Sequence, residues 1–141
     1  MDDELIRWCA LATRAACSRM TPQHLKALQD SVGQARCLPA RFAWDRKVTA
    51  HVQIFGLLAD AIADRPGPAM LLNTAVGAIH DLMVTVGPAA DGIVLSSRRR
   101  LLEAIRAGDA DAAAAEMEQN LRRLHFMWRL SGGPEPGGIA V

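Results

Sequence analysis

The chain has 141 residues, enough for one domain with a buried core, and sixteen basic residues against fifteen acidic ones leave a net charge of +1. That balance gives no electrostatic footprint for gripping DNA or an anionic membrane. Half of the residues are apolar, only 4% are aromatic and Tyr is absent, so a composition led by Ala and Leu favours helices over sheets.

Six helices are predicted in chain order. The first covers about 3–20, with Leu5, Trp8, Ala12, Ala15 and Ala16 on one face; its opening, "MDDELIRW", is acidic and lacks the basic start of a signal peptide. In "TPQHL", Thr21 is an N-cap and Pro22 stands at N1, where its missing N–H costs nothing. The second helix runs to about 35 with Leu25, Leu28 and Val32 inward. The third follows Pro39, over about 40–63, and repeats Trp44, Val48, His51, Phe55, Leu58 and Ile62 at steps of four and three. After "DRPGP" comes the fourth, about 69–86, with Leu72, Val76, Ile79, Met83 and Val86. After "GPAADG" comes the fifth, about 92–107, with Val94, Arg98, Leu101 and Ile105 in register. Gly108 is a C′ residue and Asp109 caps the sixth helix, about 110–130, whose inward positions are Ala113, Met117, Asn120, Leu124 and Met127. Long amphipathic helices on short joints imply an all-α fold, an antiparallel bundle of six or seven helices.

Residues 1–130 therefore read as one helical domain and 131–141, "SGGPEPGGIAV", as a flexible Gly/Pro-rich tail. No apolar run reads as a membrane span. Cys9, Cys17 and Cys37 are odd in number and unevenly spaced, which fits reduced, buried thiols in a cytoplasmic protein better than a disulfide framework.

Three polar residues fall on apolar seams of three different helices: His51, Arg98 and Asn120. Each has a plain reading. The histidine is satisfied by a carbonyl or water, the asparagine bonds a neighbouring helix, and the arginine snorkels out past the bundle's end. The functional reading is that they converge, as inward polar groups do where bundles build ligand sites. Arg99 and Arg100 fall off the seam and read as solvated. His80 lies beside the fourth helix's seam, either in that pocket or at the bundle's edge; His24 and His125 read as surface or rim positions. There is no local zinc motif and no phosphate loop. Ser96 and Ser97 lack a legible His/Asp partner, so no catalytic constellation is assembled and an enzyme is not expected.

The stretch "LLEAIRAGDADAAAAEMEQNLRRL" resembles the C-terminal signature of the effector-binding (FCD) domain of FadR-type GntR transcriptional regulators, roughly H-x-x-(I/L)-L-x-A-I-x-x-G-D-x-x-x-A-x-x-x-M-x-x-H-L. Leu101, Leu102, Ala104, Ile105, Gly108, Asp109, Ala113, Met117 and Leu121 match it. "LIRWCALATRAACSRMTPQHLKAL" is similar to the family's opening helix and "T-P-x-x-L" restart. "HVQIFGLLADAIADRP" is similar to its third-helix pattern, D-x-x-F-H-x-x-L-A-x-A-x-G-N-P. The resemblance spans about residues 3–130. It implies an all-helical ligand-sensing and dimerising domain, a homodimer, a small-molecule effector, and DNA contacted only through a winged helix-turn-helix domain that residues 1–141 do not contain.

Many members of that family hold a divalent metal through one Asp and three His. On the pattern these positions fall on His51, Phe55, Arg98 and Asn120; an unshifted register puts Asp45 and Thr49 at the first two. Neither register supplies a full ligand set, and arginine is a permanent cation. The resemblance therefore implies a pocket of His51, Phe55, His80, Met83, Arg98 and Asn120 without a metal cofactor, zinc and nickel being the alternatives. Arg98 would offer its fork to a carboxylate in the metal's stead, with His51 and Asn120 hydrogen bonding and Phe55 and Met83 as apolar wall. The rival expectation is a pure dimerisation module with no ligand response.

Overall fold

A computed structural model describes residues 1–132. It contains six α-helices: α1 (Asp3–Ser18), α2 (Pro22–Cys37), α3 (Trp44–Ala61), α4 (Pro66–Val86), α5 (Asp91–Arg106) and α6 (Ala110–Leu130), with a 3₁₀ turn over Pro88–Ala90. No strand occurs among the described residues, so the fold is an all-α bundle. The expected flexible tail falls on 133–141, outside the described residues; Ser131 and Gly132 form a turn.

The joints follow from local chemistry. At the head of α2, Thr21 Oγ1 accepts from His24 N–H at 3.1 Å and His24 Nδ1 accepts from Thr21 N–H at 3.3 Å, a reciprocal capping box that employs His24. At the α5–α6 joint Gly108 takes φ +68°. Its N–H bonds Ile105 O and that of Asp109 bonds Ala104 O, a Schellman ending. The Asp109 side chain then accepts from Ala112 N–H at 3.0 Å, capping α6.

Side-chain pairs give the register. Arg122 pairs with Asp3, and Arg14 with Asp111 at 2.8 Å, so α1 and α6 run antiparallel. Trp44 Nε1–H donates to Met83 O at 2.9 Å while Gly56 lies near Asn73, which sets α3 antiparallel to α4. Arg98 meets Asn120 and Arg100 meets Glu116, which does the same for α5 and α6. The core runs from Ile6 and Cys9 on α1 through Val48, Phe55 and Leu58 to Ile79, Val94, Met117 and Leu121.

Three expectations are corrected. Trp8 is 50% exposed, because α1 buries Ile6, Cys9, Ala10, Ala12, Thr13, Ala16 and Cys17 instead. In an alanine-rich helix two adjacent faces are nearly equally apolar, and the small-residue face is the one that lets α1 approach its neighbours closely. Cys37 is exposed at the end of α2, whereas Cys9 and Cys17 are buried and burial pushes the Cys9 thiol up to about 11. Finally, α4 is long and apolar enough, by length and composition, to cross a membrane. Its Leu72, Ala75, Ile79, Leu82 and Met83 stripe nonetheless faces α1, α3 and α6 as a core helix does.

Candidate functional site

The polar seam residues do converge. Arg98 is 1% exposed and among the largest side chains sealed in the core. Its guanidinium does not snorkel. It lies 5.6 Å from the Phe55 ring centroid, within cation–π range. Nη1 donates to Asn120 Oδ1 at 3.4 Å and Nη2 to the His51 carbonyl at 3.5 Å, both long against an ordinary N–H···O bond of about 2.9–3.0 Å. No carboxylate lies within ion-pair distance of Arg98 among the described residues; Glu116, the nearest acidic influence, bonds Arg100 Nε at 2.9 Å. Burial pulls the Arg98 pKa down to about 10, with Glu116 opposing, so the group stays charged at neutral pH. Arg99 is exposed and Arg100 half-exposed, so the triple arginine splits into one inward cation and two outward ones.

Beside it lies a triad that sequence reasoning missed. Asp91, at the first turn of α5, accepts from Lys47 Nζ at 3.0 Å and lies 2.9 Å from His51 Nε2. The Lys47 side chain is 4% exposed and that of His51 is fully buried. An ionised carboxylate can only accept, so His51 carries its proton on Nε2. Burial lowers the His51 pKa, as do Arg98 and Lys47, against the raising effect of Asp91; the ring is therefore neutral, and Nδ1 is a bare acceptor. Trp44 lies edge-on to the same imidazole, centroids 6.2 Å apart, and its bond to Met83 O ties α4 to this layer.

Among the described residues, four buried polar atoms here have no hydrogen-bond partner: His51 Nδ1, Ser97 Oγ, Arg98 Nε and Asn120 Nδ2. Buried polar groups are nearly always paired, and leaving one unmet costs about 1–3 kcal/mol. The four lie on three helices of the bundle, α3, α5 and α6. Of the six residues expected in a pocket, the structure brings His51, Phe55, Arg98 and Asn120 together, with Met83 adjoining through Trp44. His80 lies apart, one-third exposed on the α3–α4 rim, 3.5 Å from Thr49 Oγ1. The layer is closed, its residues 0–2% exposed; a surface cleft of about 590 Å³ lies elsewhere, beside Ile93, Gln119, Arg122 and Phe126.

These residues do not fit the divalent metal that the family resemblance suggests. Phe55 offers no donor atom, Arg98 brings a positive charge, and the Nε2 of the one imidazole is engaged with Asp91. No group of three His, Cys, Asp or Glu suited to a metal occurs among the described residues.

A pH prediction follows from His51. Its folded pKa lies below the unfolded value near 6.5, so the unfolded chain binds the proton first. The contribution of a neutral His51 to stability is complete above about pH 6.5 and is lost as pH falls through the folded pKa. Urea denaturation between pH 7.5 and 5 is expected to show this loss, and His51→Gln to flatten it; equal slopes for the two proteins would assign the loss to other groups.

Compared with known proteins, the chain matches no family model, no curated protein and no solved structure.

Proposed function

We propose that this chain is the effector-binding and dimerisation domain of a FadR-type GntR transcriptional regulator, holding a small carboxylate-bearing effector against Arg98 without a metal. One observation carries the reading: a guanidinium sealed in the core with no counter-ion and with Nε unbonded among the described residues. A buried cation is costly until it is paired. A carboxylate supplies the missing charge and accepts from Nε in the planar geometry a guanidinium prefers. Asn120 and Ser97 add donors, and Phe55 is the apolar wall. Because the layer is closed, an effector enters by local opening. Its differential affinity for the open and closed arrangements would drive a helix shift, and in a cytoplasmic homodimer that shift would alter the spacing of two winged-helix DNA readers.

A thermal-shift screen with small carboxylic acids and acyl compounds in EDTA tests this. A ligand held at about 100 times its Kd stabilises the fold by about 2.7 kcal/mol. A clear shift in the wild type that is absent in Arg98→Ala is expected. A shift that requires added zinc or nickel would overturn the metal-free site.

The α1–α4 surface supports a second reading, a dimerisation module without ligand response. Trp8, Leu11 and Met70 are 50%, 52% and 68% exposed, and Trp8 and Leu11 line a cleft of about 400 Å³ with Ala15, Pro68 and Leu71. A concentration-dependent dimer that shifts with none of the acids would favour it.

A further inference from the structure

The surface cleft of about 590 Å³ runs along the outer face of α6 and shares no lining residue with the Arg98 layer. Its volume falls in the range of about 300–1,000 Å³ typical of small-molecule sites. Helical spacing builds its floor. Glu118, Arg122 and Phe126 follow one another at steps of four, and Gln119, Arg123 and Met127 form the next row. Ile93, at the head of the antiparallel α5, adds an apolar wall. The two arginines differ in what they have left to offer. Arg122 is committed: it pairs with Asp3, and its Nε lies 3.5 Å from Glu118, whose charge it offsets. Arg123 is exposed and forms no ion pair among the described residues. Phe126, one turn further on, lines the cleft yet is 63% exposed.

The cleft thus has a cationic end and an aromatic end. A free guanidinium takes a phosphate in its planar fork, and the Gln119 amide, one helical step away on the same row, is a second donor for it. An open aromatic ring stacks a flat heterocycle, and the Met127 thioether suits the same surface. Arg123 and Phe126 are three residues apart, which makes them neighbours on the helix surface at about 5–6 Å between Cβ atoms, a gap that a ribose bridges. We propose that this cleft binds a mononucleotide, with the phosphate on Arg123 and Gln119 and the base stacked on Phe126 between Ile93 and Met127. The aromatic end is lined by apolar side chains, so the base is held by its face and its edges are not read. One free cation serves one phosphate; a nucleic-acid strand needs a track of them.

Equilibrium dialysis of the full chain in EDTA against AMP, GMP, ribose 5-phosphate and adenosine tests the assignment. AMP is expected to bind about fivefold tighter or more than ribose 5-phosphate, which lacks the stacking base, and about tenfold tighter or more than adenosine, which lacks the phosphate. GMP is expected to bind as AMP does. Phe126→Ala is expected to lower AMP binding to that of ribose 5-phosphate, and Arg123→Gln to lower it to that of adenosine. Both side chains are exposed, so both variants are expected to melt as the wild type does. Absence of AMP binding at millimolar concentration, equal affinity for AMP and ribose 5-phosphate, or AMP binding that neither substitution weakens overturns the proposal. A strong choice between AMP and GMP would overturn the placement of the base on Phe126. Tighter binding of a short oligoadenylate than of AMP would assign the cleft to a strand and overturn the mononucleotide.

Discussion

Arg98→Met is expected to make the unliganded chain more stable, by about 1–3 kcal/mol, while abolishing every carboxylate-dependent shift. Buried charges replaced by well-packed apolar side chains of similar volume often give gains of this size. Arg98 is the strongest candidate for such a gain in this protein because its charge is unmatched. Among the described residues it has no ion pair, two bonds at 3.4 and 3.5 Å, and one nitrogen with no partner. Methionine keeps an unbranched stem against Phe55 and removes the desolvation cost. The check is a urea midpoint that rises at unchanged slope, which isolates stability from denatured-state effects. A loss of about 2 kcal/mol or more would mean instead that the guanidinium is a structural bolt for Asn120 and the His51 carbonyl, and the case for a ligand would weaken. A gain would place Arg98 among the residues that proteins retain at a cost in stability because function requires them.

Much of the fold was legible because helical periodicity is a strong signal. The α3 and α5 seams were read residue for residue, and all four α5 positions are buried. The convergence of His51, Arg98 and Asn120 was legible for the same reason: a polar residue in an apolar register stands out. The Lys47–Asp91 pair was not. Lys47 sits off the α3 seam, where a lysine normally reads as solvated, and only its long stem carries the ammonium to α5. Asp91 was hidden inside "GPAADG", read as a break; the 3₁₀ turn over Pro88–Ala90 instead starts α5 at Asp91 and presents the carboxylate to α3. Glu116, nearly buried beside Met117, lacked a signal until Arg100 was seen to reach it. Trp8 was not legible as exposed because two adjacent faces of alanine-rich α1 are nearly equally apolar, and the one that packs closely is that of Ile6, Cys9, Thr13 and Ala16.

Asp91→Ala is expected to be the most damaging single change in this layer, costing about 3–5 kcal/mol. The carboxylate compensates a lysine that is 4% exposed and a fully buried imidazole N–H, and removing one partner of a buried pair leaves the other charge without compensation. The substitution also deletes the acidic residue in the first turn of α5, where the helix dipole favours it. Chemical denaturation measures the loss. A second substitution, Lys47→Met, assigns its cause: if the orphaned ammonium dominates, the double variant recovers much of the loss, and the non-additivity gives the coupling between the two residues. A cost below about 1 kcal/mol would mean that Lys47 escapes to water and that the pair is no tighter than a surface bridge. The opposite signs expected for Asp91→Ala and Arg98→Met separate the two cations of one bundle layer. Lys47 has its counter-ion in the fold and stabilises it, whereas Arg98 lacks one among the described residues.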